Sequence, residues 1–195
     1  MIVKKSLLII FISLNLTTVI SLYAQQQKPY ETLEVGLNYI ENSNRNLFHQ
    51  YWEPMSGVGG FWEMPYYFGS VKAGIYTFSC HAIKNSVSDF FIAYIYAGWD
   101  FKLLLFSRLN WYNGVSIGNN QMRFEDEDFS GFKDESEFGI TYDSRLNFPV
   151  YKKLSINLSV SRLLIFTHKR IKLTFVAAGI SYSFITPKWL QEFMK

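Results

Sequence analysis

The amino-acid sequence predicts an all-β fold: an eight-stranded antiparallel up-and-down transmembrane β-barrel preceded by a cleavable signal peptide. Three observations carry this reading. Apolar and polar residues alternate with period two in several stretches, while helical periodicity is poor throughout. Aromatics are abundant, with 13 Tyr, 18 Phe and 5 Trp, in a chain that is only 18% charged. After the first two dozen residues no stretch is long and apolar enough for a membrane helix, which leaves strands as the crossing element.

The chain opens with Lys4 and Lys5, an apolar run from Ser6 to Leu22, and then Tyr23, Ala24 and Gln25. A short basic region, an apolar core and a small residue at a cut point describe a secretory signal peptide, with cleavage after Ala24. Ser13, Asn15, Thr17 and Thr18 interrupt the run, so it falls short of the roughly 20 strongly apolar residues of a spanning anchor. Cys80 is the single cysteine, so neither a lipid-attachment site at the cut nor an internal disulfide is expected. Residues 25–184 form one barrel domain on this reading, and 185–195 a short periplasmic tail. Losing Lys4 and Lys5 takes the formal net charge from +3 to +1. Nothing here has the one-sided basic excess of a nucleic-acid partner.

The clearest strand is Phe138 to Phe148. Phe138, Ile140, Tyr142, Ser144, Leu146 and Phe148 take one face, and Gly139, Thr141, Asp143, Arg145 and Asn147 the other. One face suits lipid and the other a polar lumen. Leu154, Ile156, Leu158 and Val160 alternate likewise with Ser155, Asn157, Ser159 and Ser161, after a tight turn around Pro149 to Lys152. Working outward from this hairpin gives strands at 31–41, 51–63, 68–82, 89–99, 101–115, 137–148, 152–165 and 171–184. The third and fourth are apolar on both faces, which leaves their phases open. Short connections fall at Met64 to Tyr67, around Asp100, and at Pro149 to Tyr151; the others are Asn42–Gln50, Ala82–Ser88, Ser116–Ser136 and Phe166–Arg170. Short turns on one side and longer loops on the other are the habit of such barrels, and this puts the longer loops outside. Tyr51, Trp52, Trp111 and Tyr112 are expected at the outer rim, and Tyr66, Tyr67, Trp99, Phe148, Tyr151 and Phe184 at the inner one, as two aromatic girdles. Beyond Phe184, Pro187 breaks the strand, and Trp189 to Met194 can form one amphipathic turn.

The polar phase places Glu34, Asn38, Arg108, Asn110, Asp143 and Arg145 in the lumen, with Lys72 and Lys102 as possible additions. An eight-stranded barrel is just wide enough for its own side chains to fill, so these charges must pair. A salt-bridged plug is the structural expectation, and a gated narrow pore the functional alternative. The loop 116–136 carries Glu125, Asp126, Glu127 and Asp128, an acidic outer loop. Its spacing is not that of an EF-hand, so no metal is assigned to it.

The final strand, KLTFVAAGISYSF from Lys172 to Phe184, carries Gly179, Tyr182 and Phe184. This resembles the terminal strand of small bacterial outer-membrane β-barrels of the OmpA-transmembrane and OmpX-like type, in which a glycine followed by aromatics three and five residues later is the insertion signal. The resemblance covers Tyr30 to Phe184, and the Ala24-Gln25 junction is similar to those of Bacteroidetes envelope proteins. Two departures stand: Ala177 sits where a polar residue is common, and the family's final aromatic usually ends the chain. The resemblance implies outer-membrane lipid, lipopolysaccharide and the barrel-assembly machinery as partners, no cofactor, no catalytic residue, and an envelope-structural or surface role through the loops, whose partner stays unknown. A narrow conduit, a lipid A-modifying barrel and a soluble lipocalin-like carrier are the alternatives. For the enzyme, His49 with Ser88 and Asp89 mimics a rim triad without matching any motif residue by residue.

Overall fold

A computed structural model describes residues 28–67, 69–105, 109–125 and 133–193. The chain is a closed meander in which each strand pairs with its neighbour in sequence and the first pairs with the last. The strands are β1 (Thr32–Asn42), β2 (Trp52–Tyr66), β3 (Gly69–Ala82), β4 (Phe90–Leu105), β5 (Leu109–Phe124), β6 (Lys133–Tyr151), β7 (Leu154–Ile165) and β8 (Ile171–Ile185). Closure removes the unpaired edges that an open sheet must protect. A 3₁₀ turn, Leu47–Gln50, follows β1, and a short helix α1, Lys188–Phe193, follows β8. The signal-peptide reading and the Ala24-Gln25 junction lie outside the described residues.

Both described chain ends, and the turns β2–β3 and β6–β7, lie at one end of the barrel, called the termini end below. Tyr67 and Lys152 occupy these turns with φ of 48° and 43°, the left-handed conformation that tight hairpins need to match strand twist.

The outward face is an apolar belt. On β1 it shows Val35, Leu37 and Tyr39; on β7 Ile156, Leu158 and Val160; on β8 Val176, Ile180, Tyr182 and Phe184, all exposed. The run from Val176 to Phe184 matches the roughly 9–11 residues of a tilted membrane-crossing strand.

One boundary expectation is corrected. The fourth strand does not end at a turn near Asp100; β4 continues to Leu105, with Asp100 opposite Gly114 and Lys102 opposite Tyr112. Aspartate ordinarily marks a turn, but here its side chain points into the lumen and is fully buried. The ladder therefore runs on. β5 shifts accordingly from 101–115 to Leu109–Phe124, and the long outer loop contracts to the segment between Phe124 and Lys133. Trp111 and Tyr112 consequently stand at the termini end rather than the outer rim, and Tyr112 is buried in the lumen.

The phases of β3 and β4 are now fixed. Lys72, Phe78 and Cys80 on β3, and Phe90, Ile92, Tyr94, Tyr96 and Asp100 on β4, face inward and are buried. Both strands look apolar on both faces because the lumen is itself apolar over its outer half.

Candidate functional site

The lumen divides into two zones. The outer half is a packed apolar plug of Ile40, Phe78, Ile92, Tyr94, Leu163, Leu173 and Phe175, each at most 2% exposed, with Cys80 among them. Phe78 and Phe175 meet at 4.9 Å between ring centroids. Above them Phe90 stacks on Phe124 at 4.7 Å, and Phe48 from the first outer loop stacks on Trp52 at 5.3 Å. The loop is pinned so that Phe48 can enter: Asn46 caps the 3₁₀ turn by accepting from Phe48 N at 2.9 Å, while His49 Nδ1 accepts from Asn46 N at 3.1 Å. His49 Nε2 lies 2.9 Å from Asn42 Oδ1. Desolvation holds the imidazole below its ordinary pKa, opposed by Glu53 and aided by Arg45, as suits a neutral ring with one donor and one acceptor.

Toward the termini end the lining becomes ionic. Lys72 sits between two carboxylates, 2.6 Å from Asp100 Oδ1 and also bonded to Asp143. Arg145 pairs with Glu63, and its guanidinium lies 4.4 Å from the ring centroids of both Phe61 and Tyr112. Two aromatic faces against a delocalised cation help offset its desolvation. Nearer the mouth Asn147 Nδ2 donates to Glu34 Oε1 at 3.0 Å and to Asn157 Oδ1 at 2.9 Å. At the seam between the zones, Thr141 donates to the Tyr94 hydroxyl at 3.0 Å. A cavity of about 170 Å³ opens below this network, with Glu34, Glu63, Lys102, Asn110 and Asn147 among its walls and Lys152 and Lys153 at its rim.

Of the residues expected in the lumen, Glu34, Asn38, Asn110, Asp143 and Arg145 face inward, as do Lys72 and Lys102. Arg108 lies outside the described residues. Two members were missed. The sequence alone places Glu63 at the end of the second strand and Asp100 in a turn. Their signal was present as spacing: Glu63 is in phase with Gly59 and Phe61, and Asp100 with Tyr94 and Tyr96.

Of the acidic loop only Glu125 is described. It is exposed, and its backbone N donates to Asp89 O at 2.9 Å; Asp126, Glu127 and Asp128 lie outside the described residues. Gly179 faces the lumen, where a Cβ would strike Asn38 Oδ1 and the Leu37 carbonyl. Tyr182 and Phe184 face outward with ring centroids 4.8 Å apart. The histidine, serine and aspartate of the outer rim do not assemble. His49 is engaged with Asn42 and Asn46, Ser88 offers its backbone carbonyl to Trp52 Nε1 at 2.9 Å, and Asp89 pairs instead with His81 at 2.7 Å. The Ala82 backbone N–H and then His81 hold the Asp89 carboxyl below its usual range.

No protein-family profile and no curated protein matches the chain. Solved structures do. Neisserial surface protein A superposes with a TM-score of 0.55 at 11% identity, covering 81% of this chain and 100% of that one. The outer membrane protein OprG of Pseudomonas aeruginosa gives 0.54 at 10% identity, over 82% and 98% of the two chains. The Yersinia pestis outer membrane protein Ail in a phospholipid nanodisc gives 0.50 at 16%, over 79% and 99%. These organisms lend no support to a Bacteroidetes origin. The closed eight-stranded meander and these superpositions show that the chain has the fold of the small outer-membrane β-barrels.

Proposed function

We propose that this chain is an integral protein of the bacterial outer membrane, non-enzymatic, with the barrel as anchor and the outer loops as the surface that meets a partner. The observation that carries this reading is the pairing of an outward apolar belt with a lumen blocked by its own side chains. A soluble carrier would reverse that arrangement, with polar residues outside and a cavity within. Here Leu37, Val58 and Tyr142 are more than half exposed while Lys72, Asp100 and Arg145 are at most 5% exposed. Lipid around the belt would stabilise that distribution. Outer-membrane lipid and lipopolysaccharide then cover the belt, and the barrel-assembly machinery inserts it.

A structural or surface-interaction role fits better than conduction. Ile40, Phe78, Ile92, Leu163, Leu173 and Phe175 pack across the outer half of the lumen, whereas a conduit needs a polar path for an ion to follow. Neisserial surface protein A, similar in fold, is named for the cell surface, in keeping with a role there. Fractionation and gel mobility test the proposal. The protein should partition with the outer membrane and run faster unboiled than boiled; a periplasmic, detergent-independent protein with no shift would return the lipocalin-like reading.

A further inference from the structure

Among the described residues, the cavity at the termini end sets two opposite charges facing one space, neither in an ion pair. Among the described residues Lys102 has no carboxylate within 4.0 Å; its Nζ lies 5.6 Å from the Tyr112 ring centroid, and it lines the cavity together with Glu34 and Glu63. Glu34 has no cation within 4.0 Å and is held by Asn147. This contrasts with the ions immediately above, where Lys72, Asp100, Asp143, Arg145 and Glu63 are all paired. Both Glu34 and Lys102 are half-buried rather than sealed, so a solute entering the mouth can reach them.

We propose that this vestibule binds a small zwitterion, its anionic group on Lys102 and its ammonium on Glu34. A simple cation would face Lys102, with Lys152 and Lys153 at the rim, and a simple anion would still face Glu34, so each loses against repulsion part of what it gains. A molecule carrying both charges satisfies both groups at once and is favoured by charge-assisted hydrogen bonds at each end. Asn147 holds Glu34 in place, and Arg145 neutralises Glu63, the other carboxylate in the wall. The volume of about 170 Å³ far exceeds the roughly 10–15 Å³ that one water needs, yet falls below the roughly 300 Å³ where drug-sized pockets begin. It suits a molecule of amino-acid or phosphoethanolamine size. These two share the chemistry, one as a free solute and the other as a lipid headgroup.

The test titrates the folded barrel in detergent with glycine, β-alanine and phosphoethanolamine, with acetate and ethylammonium as single-charge controls, following the Asn147 and Ser183 resonances. At least one zwitterion should give saturable shifts, with both controls weaker by about tenfold or more, the worth of one charge-assisted hydrogen bond. Phosphoethanolamine binding with silent amino acids assigns the headgroup, and the converse assigns a free solute. Glu34→Gln should lose the zwitterion and gain acetate, and Lys102→Gln should lose it and gain ethylammonium, a swap that mere unfolding cannot produce. No saturable shift with any zwitterion, or acetate binding the wild type as tightly, overturns the proposal. Should either variant lose its gel shift, the wild-type comparison decides. The titration needs only a folded barrel, so its failure is separate from failure of the membrane assignment, which shows in fractionation.

Discussion

Lys72 and Asp100 form an ion pair of 2.6 Å inside the barrel, with both side chains almost wholly removed from solvent. Lys72 also holds Asp143 on the opposite wall, so one ammonium ties β3, β4 and β6 together across the lumen. Removing one partner of a buried pair costs about 3–5 kcal/mol, because the charge left behind is uncompensated. Lys72→Met strands two carboxylates and should lower stability by at least that much, read as the urea midpoint of folding into lipid vesicles. Adding Asp100→Asn and Asp143→Asn to Lys72→Met should recover most of the loss. A triple variant no better than the single one would show that the ammonium matters for packing rather than charge.

Arg145 depends on shape as well as charge. Its planar guanidinium lies against Phe61 and Tyr112 while it pairs with Glu63. Arg145→Lys keeps the charge and loses the flat contact with two rings, so it should cost about 1–2 kcal/mol. Arg145→Met should cost about 3–5 kcal/mol, since Glu63 is then unpaired. The same urea titration separates the two. In planar bilayers all three proteins should be silent, because the plug formed by Phe78, Tyr94 and Phe175 is untouched.

His49 makes the outer cap pH-sensitive. Its neutral ring accepts from Asn46 N and keeps the turn that delivers Phe48 onto Trp52. Because burial lowers the folded-state pKa, the contribution is fully present above the unfolded value of about 6.5 and is lost as pH falls through the lower folded value. Hydrogen exchange at the Asn46 and Phe48 amides should quicken at acid pH while β6 and β7 stay protected. His49→Gln should flatten that dependence. Equal acid sensitivity in the variant would move the effect to another group.

How legible this molecule is from sequence differs between its two ends. In β6 and β7 the inward residues near the termini end are Asp143, Arg145, Asn147, Ser155 and Asn157, and the outward ones, Ser144 apart, are apolar or aromatic, so alternation specifies phase without ambiguity. In β3 and β4 the inward residues are Tyr76, Phe78, Ile92 and Tyr94, which share their character with the lipid-facing neighbours. A plug built from the same residue types as the belt erases the signal. Asp100 misled for a related reason: a lone acid after Gly98 and Trp99 reads as a turn until Lys72 is known to face it. Which charges end unpaired at the mouth depends on cross-barrel distances, and spacing along one strand carries none of that.

The terminal strand combines two roles on opposite faces, and they can be separated. Gly179 points inward, and a methyl there would meet the Leu37 carbonyl, which is backbone and cannot yield, as well as Asn38. Gly179→Ala should therefore destabilise the folded barrel by about 1–3 kcal/mol through overpacking, read as a lower urea midpoint of refolding in detergent. Tyr182 and Phe184 face outward and contact each other rather than the lumen. Replacing both by Ser should leave refolding in detergent close to wild type but lower the amount inserted in the outer membrane of living cells, if the pattern is read by the assembly machinery. Equal insertion of the double variant would refute that use and leave the aromatics as part of the interfacial girdle alone. The comparison of refolding yield with cellular insertion, made on both variants, assigns each face its own task.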